Sequence, residues 1–130
     1  MIREFNSLEE IQKYYDEDKD IYEFKENGTY INLVKFKFDL EVSKNIVACD
    51  IIAHNIKAHD IYANDIKADK IIANNIYAHS INAWDIKAHD ISYWALCFAY
   101  NNIKCKSIKS NRENHKHFVL DGKLVVKEND

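Results

Sequence analysis

The amino-acid sequence predicts a mostly β fold, built as a solenoid of short stacked sides. Three regularities carry this prediction, and all lie between Ile46 and about Tyr100, where the sequence repeats every five residues. Position one is Ile in every unit from Ile46 to Ile91, and position three is Ala in every unit from Ala48 to Ala88. Position five is Asp or Asn in most units.

A five-residue period fits neither an α-helix nor a simple alternating strand. Ile and Ala, two positions apart, lie on the same side of an extended segment, so each unit offers one large and one small inward side chain. Asp and Asn favour turns because their side chains bond nearby backbone groups. Such a unit buries its apolar side only by stacking on neighbouring units, as in a β-solenoid.

The repeat Ile-x-Ala-x-Asp/Asn resembles that of the pentapeptide-repeat family, over about half of the chain. The family unit is Ala-(Asp/Asn)-Leu-x-x, so the order of the large and the small residue is swapped here. The resemblance implies a right-handed quadrilateral β-helix with four units per coil, in which position n stacks on position n+20. In that register His59 lies beneath His79, while Tyr62 and Tyr77 lie on neighbouring faces.

The N-terminal residues 1–45 are expected to cap the solenoid. Ser7 and Glu10 form a capping-box pattern, which predicts a short helix from about Ser7 to Glu17. Asn27-Gly28 between two apolar runs predicts a β-hairpin. The alternation from Val34 to Val42 predicts a half-buried strand.

The five-residue pattern decays towards the C-terminus. In the twenty-residue register the Ala columns end in Tyr93, Phe98 and Ile103, so the last coil is expected to be filled differently from the others. Residues 46–110 are assigned to the solenoid, and residues 111–130 to a loop and a second hairpin around Asp121-Gly122. The whole chain, 1–130, is interpreted as a single domain.

Composition narrows the classes of function. A net charge of −3 and a pI near 6.1 argue against a general nucleic-acid binder, so direct nucleic-acid binding is not expected. The sequence contains no run of eighteen apolar residues and no signal peptide, which predicts a cytoplasmic protein without a membrane span. Three cysteines at unrelated spacings predict reduced thiols.

Exposed aromatic residues are the main candidates for a binding site, because Trp and Tyr are enriched in interface hot spots. A dimer seam, a site for another protein and cover by the terminal caps all remain open for them. A basic C-terminal segment is the second candidate, with seven Lys or Arg against four Asp or Glu in residues 101–130. The predicted partner-binding residues are Trp84, Trp94, Tyr62, Tyr77, Tyr100, Lys104, Lys106, Lys109 and Arg112.

No catalytic motif, Gly-rich phosphate loop or Cys-x-x-Cys pair is present, and no enzymatic activity, cofactor or metal is predicted. The predicted His59/His79 stack raises the question of a shared metal, but a site needs three or four ligands. The preferred interpretation is that His59 and His79 are ordinary surface residues, because the outward position of the repeat accepts any polar residue.

The resemblance implies a function as well as a fold. Pentapeptide-repeat proteins include non-catalytic inhibitors that mimic duplex DNA and bind DNA gyrase, and small phage proteins of the anti-CRISPR kind use similar mimicry. The chain is also similar to short bacterial and phage-associated proteins with Asp-Ile-x-Ala repeats. The expectation is therefore a protein-binding inhibitor or regulator of a nucleic-acid-acting enzyme, present as a homodimer in the bacterial cytosol. The alternative is a structural or self-assembling module.

Overall fold

The computed structural model describes residues 1–112, 114 and 116–127. The chain is mostly β, with 68% strand, and forms a β-solenoid of about five turns, as predicted. The described elements are β1 (Ile2–Phe5), a 3-10 helix (Leu8–Tyr14), β2 (Tyr15–Asp16), β3 (Ile21–Glu23), β4 (Lys25–Glu26), β5 (Thr29–Tyr30), β6 (Leu33–Phe36), β7 (Leu40–Glu41), β8 (Asn45–Val47), β9 (Asp50–Ala53), β10 (Asn55–Lys57), β11 (Asp60–Cys105), β12 (Ser107–Ser110), β13 (His117–Val119) and β14 (Leu124–Val126).

Three units, and not four, complete one coil of the repeat. β8 pairs in parallel with the start of β11 so that Ile46 lies beside Ile61, and β10 pairs with β11 so that Ile56 lies beside Ile71. Each pair is fifteen residues apart. The predicted twenty-residue, four-sided register is therefore wrong. The five-residue pattern defines each side but does not define the number of sides.

The interior of the coil is filled by Ile and Ala in the predicted pairs. The position-one isoleucines from Ile46 to Ile91 are at most 2% exposed. Most of their position-three alanines are buried beside them, although Ala53 and Ala63 are only partly covered. Burying one such Ile side chain contributes about 1.5–3 kcal/mol, so this interior is the main source of stability in the repeat.

Parallel stacking begins well before the five-residue repeat. β3 lies beside β8, with Tyr22 opposite Ile46, and β6 lies beside β9, with Val34 opposite Ile51. β7 continues this coil, with Leu40 opposite Ile56. The single strand predicted from Val34 to Val42 is therefore wrong, because a corner divides it between two sides of the coil.

The N-terminal end of the solenoid is covered. β1 stacks on β6, and the ring of Phe5 lies 5.4 Å from that of Tyr14 and 5.9 Å from that of Phe36. Tyr14 belongs to the 3-10 helix, which is shorter than the predicted helix of residues 7–17. The Glu10 carboxylate accepts the backbone N–H of Ser7 at 3.2 Å, as expected of a capping box.

The first hairpin forms as predicted. β4 and β5 pair antiparallel, with Lys25 opposite Tyr30. The two turn residues, Asn27 and Gly28, have φ angles of 53° and 78°. Both values belong to the left-handed region that Asn and Gly tolerate best, which explains the turn.

The last coils are longer than the others. After Tyr93 the buried inward pairs are Cys97 with Ala99 and Ile103 with Cys105. The second pair begins six residues after the first, whereas pairs in the regular repeat begin every five. Tyr93 and Ile103 are fully buried, as the altered filling of the last coil predicts. Phe98 points elsewhere and is only partly buried, because the chain has shifted by one residue.

The second hairpin is not formed, and this prediction is wrong. β13 and β14 each pair in parallel with β11, with Phe118 opposite Phe98 and Leu124 opposite Ile103. Gly122 stands at the corner between them, where an added Cβ would lie 1.7 Å from the carbonyl oxygen of Asn101. The parallel stacking thus runs from β1 to β14 and exceeds the predicted limits of 46 and 110.

The coil length can be tested by cross-linking. The outward residues Lys57 and Ile72 are direct neighbours in the fifteen-residue register, whereas a twenty-residue register would pair Lys57 with Tyr77. Adjacent strands are about 4.8 Å apart, which suits a disulfide. In a Cys49→Ser background, we expect Lys57→Cys with Ile72→Cys to form a disulfide on mild oxidation, detected by mass spectrometry of non-reduced peptides. Cross-linking of Lys57→Cys with Tyr77→Cys instead would refute the three-sided coil.

Candidate functional site

The fifteen-residue coil places outward side chains in columns on three sides. Side A contains the units that begin at Ile46, Ile61, Ile76 and Ile91. Side B contains those of Ile51, Ile66 and Ile81, and side C contains those of Ile56, Ile71 and Ile86. Each side presents two outward columns, from positions two and four, and this geometry decides which predicted site residues meet.

Tyr62 and Tyr77 meet in the position-two column of side A. Their ring centroids are 4.8 Å apart and the planes differ by only 8°. The two rings are 39% and 41% exposed. The expectation that they lie on neighbouring faces is wrong, because they are fifteen residues apart and so lie one above the other.

Trp94 and the Tyr62/Tyr77 stack line one groove of about 300 Å³. It occupies the position-four column of side A, after Asn64 and His79, and its side chain is 55% exposed. We call this surface the aromatic groove; its lining includes Tyr62, Tyr77, Trp94, Asn64, His79, Ser92 and Asn111.

Trp84 and Tyr100 form a separate pair on side B. Their ring centroids are 4.4 Å apart, and Trp84 is 49% exposed. Trp84 belongs to the column of His54 and Asp69, and the three residues line a groove of about 340 Å³. The five predicted aromatic residues are therefore divided between two sides.

The predicted basic residues are divided as well. Lys104 and Lys106 line a groove of about 640 Å³ on side C. Lys109 lies on side A, where β12 places it opposite Ser92 in the Tyr62/Tyr77 column. Arg112 follows β12 as an exposed residue, and its backbone N–H donates to the hydroxyl oxygen of Ser110 at 3.2 Å. Lys109 and Arg112 thus belong with side A, and Lys104 and Lys106 do not.

The predicted stack of His59 on His79 does not form. His59 lies on side C, where its carbonyl accepts the N–H of Asn74 at 2.7 Å, whereas His79 lies on side A. Within residues 1–112, 114 and 116–127, no group of three or more His, Cys, Asp or Glu side chains is arranged to hold a metal ion.

The cysteines are free thiols with different environments. Burial raises the pKa of Cys97 to about 12 and that of Cys105 to about 11. Both thiols are therefore protonated at neutral pH, and a protonated thiol is a poor nucleophile. These two side chains act as core residues of the last coils.

No protein-family model matches the chain, and neither a curated protein nor a solved structure matches it. The one helix in the described part of the chain is too short and too polar to cross a membrane.

The stacking of His54 beside Asp69 leads to a prediction about the pKa of His54. His54 Nδ1 lies 3.0 Å from Asp69 Oδ2, one coil away, and this hydrogen bond and the negative charge of Asp69 raise the pKa of His54. We expect an NMR titration to give His54 a pKa above its ordinary value of 6.5. Asp69→Asn should lower it towards that value.

The sign of the effect on stability follows. Because the folded pKa is the higher one, the pair favours folding below pH 6.5, and this contribution is lost as the pH rises through the folded pKa. An unchanged His54 pKa in Asp69→Asn would show that the two side chains do not interact in solution.

Proposed function

We propose that the chain is a non-catalytic protein-binding solenoid that docks through the aromatic groove. The observation that carries the proposal is the exposure of Trp94 beside the Tyr62/Tyr77 stack on one rigid side. Trp and Tyr dominate interface hot spots because they bury a large area and lose little conformational entropy. The two rings already pack against each other in the unbound chain, which lowers the entropic cost of binding.

The positive charges beside the aromatic groove indicate which surface a partner would need. Lys109 continues the column of Tyr62 and Tyr77, and Arg112 follows it closely in sequence. A partner surface with an apolar or aromatic projection and acidic residues next to it would complement this side. We propose this surface chemistry for the partner.

Nucleic-acid-acting enzymes are the first partner class to test, an expectation that rests on the resemblance of the repeat. Charge mimicry alone is not sufficient for such binding. A DNA duplex carries one negative charge per about 1.7 Å of axis, whereas the corner column of side A contains Asp50 and Asp65 but then Ser80. Docking would depend on the aromatic groove, with the acidic corner as a minor contribution.

Matched tryptophan variants test this proposal. The immobilised protein would be incubated with nuclease-treated bacterial lysate, and the bound proteins identified by mass spectrometry. We expect recovery of a nucleic-acid-acting enzyme whose affinity falls by roughly 2 kcal/mol in Trp94→Ala, the size of a hot-spot loss. Trp84→Ala removes an equally large exposed ring from side B and should leave the affinity unchanged.

Three results would contradict parts of this proposal. Equal losses in Trp84→Ala and Trp94→Ala would show that side A is not the interface. Recovery of no enzyme of this class would refute the proposed partner, and binding of any recovered protein that Trp94→Ala leaves unchanged would refute the groove.

A specific observation favours self-association as a second role. By register Leu124 stacks on Ile103 and Val126 on Cys105, yet Leu124 and Val126 are 37% and 41% exposed while the other two are buried. The difference arises because no further coil follows β14 in the described residues. Within residues 1–112, 114 and 116–127, the apolar interior of the solenoid is therefore uncovered at this end.

We propose that a second copy covers this end. The opposite end is covered by β1 and the 3-10 helix, which blocks head-to-tail growth. Contact between two C-terminal ends uses the same surface on both copies, and such an isologous interface closes at a dimer. Because the N-terminal end is covered, we expect a closed dimer and not an open assembly.

Sedimentation velocity over a range of concentrations tests the dimer. We expect the wild-type chain to sediment as a dimer and Leu124→Glu to sediment as a folded monomer, because a buried charge without a partner destabilises an interface. Ile52→Glu is the matched control, because Ile52 is also 37% exposed but lies on side B. Growth beyond a dimer would support the self-assembling module instead, and a wild-type monomer at all concentrations would refute both.

A further inference from the structure

Side C carries a concentration of positive charge that the proposed docking through side A does not use. The groove of about 640 Å³ on this side is lined by Lys87, Lys104, Lys106 and Lys127, with His89 between them. No Asp or Glu among the described residues lines it. We call this surface the basic groove.

The lengthened coils bring these side chains together. The backbone N–H of Lys106 donates to the carbonyl of His89 at 2.7 Å, seventeen residues earlier, which places Lys104 directly over Lys87. The N–H of Lys127 donates to the carbonyl of Cys105 at 2.8 Å, so Lys127 follows Lys106 in the next coil. The lysines therefore stack along the solenoid axis in two adjacent columns.

Stacking like charges on neighbouring strands costs free energy unless an opposite charge is close. Two lysines in the first 45 residues have such a charge beside them: Lys37 lies 3.1 Å from a Glu4 oxygen, and Lys44 lies 3.0 Å from an Asp20 oxygen. Within the described part of the chain, no carboxylate lies within 4.0 Å of the ammonium groups of Lys87, Lys104 or Lys127, although Asp85 lines an adjoining pocket with Lys87 and Lys104. These three ammonium groups are thus available to an anion from outside.

We propose that the basic groove binds a small ligand that carries two or more phosphate groups. Several ammonium groups that share one groove require a ligand with several closely spaced negative charges. Lysine is a common phosphate ligand, and the Asn74 amide and the His89 ring add hydrogen-bonding groups to the lining. The volume lies within the range of small-molecule sites.

The spacing of the charges distinguishes this ligand class from an acidic peptide. The backbones of stacked lysines on adjacent coils are about 4.8 Å apart, whereas carboxylates on one face of an extended peptide repeat every ~6.6 Å. A single nucleic-acid strand is also a poorer match, because no aromatic side chain lines the groove and base stacking supplies much of such binding. A compact oligophosphate fits the charge density best.

Calorimetric titration with inorganic triphosphate at constant ionic strength tests the proposal. We expect saturable binding to the wild-type chain, weakened about tenfold by Lys87→Gln and by Lys104→Gln, the loss expected of one hydrogen bond between charged groups. Lys67→Gln is the matched control, because Lys67 is an exposed position-two lysine on side B, outside the groove. Trp94→Ala should bind triphosphate like the wild type, which keeps this test separate from that of the aromatic groove.

Thermal unfolding supplies a readout that does not depend on the titration. Without ligand, Lys104→Gln should unfold at the same temperature as the wild type or a higher one, because it removes the repulsion from Lys87. Triphosphate should raise the unfolding temperature of the wild type but raise that of Lys104→Gln much less.

Four results would overturn the assignment. The first is the absence of both binding heat and a thermal shift with triphosphate. The second is an equal loss of affinity in Lys67→Gln, which would show diffuse attraction to the surface. The third is binding of inorganic phosphate as tightly as triphosphate, which would show a single-anion site. The fourth is tighter binding of a glutamate-rich peptide or a single-stranded oligodeoxynucleotide, which would assign the groove to that class.

Discussion

The structure depends on the burial of one Ile and one Ala from each side of a fifteen-residue coil. A single unit cannot bury this pair, because its apolar surface is covered only by the units one coil before and one coil after it. Each buried Ile contributes about 1.5–3 kcal/mol to folding. Long stacking is therefore required, and it extends from Phe5 opposite Phe36 to Leu124 opposite Ile103.

This burial explains what the sequence could predict and what it could not. Ile-x-Ala spacing predicts the sides and their inward residues, because the period is a local property of each unit. Coil length is different: Ile46 is followed by Ile at both Ile61 and Ile66, so the interior is equally well filled in either register. The groupings of outward residues change with the register, which is why Tyr62 and Tyr77 were expected on different faces.

Local turn signals were informative only where the pairing is also local. Asn27-Gly28 joins two strands that pair with each other, and the predicted hairpin is present. Asp121-Gly122 joins two strands that each pair with β11 instead. There the glycine serves a different need, because it lets the backbone approach the carbonyl of Asn101. A dipeptide cannot indicate whether its flanking strands bond to each other or to a coil formed earlier in the chain.

The C-terminal parts of the aromatic groove and of the basic groove lie where the coil length changes. Trp94 stands directly after Tyr93, which replaces the usual inward Ala and whose hydroxyl contacts His117 Nδ1 at 2.7 Å. The longer coil that follows places Lys104 over Lys87 and carries Lys109 into the column of the stacked tyrosines. A regular repeat can change its outward residues at little cost to the interior, but it keeps the same column geometry throughout. Lengthening the last coils alters that geometry while the inward pairs stay buried, and this allows side A and side C to present different surfaces near one end of the same solenoid.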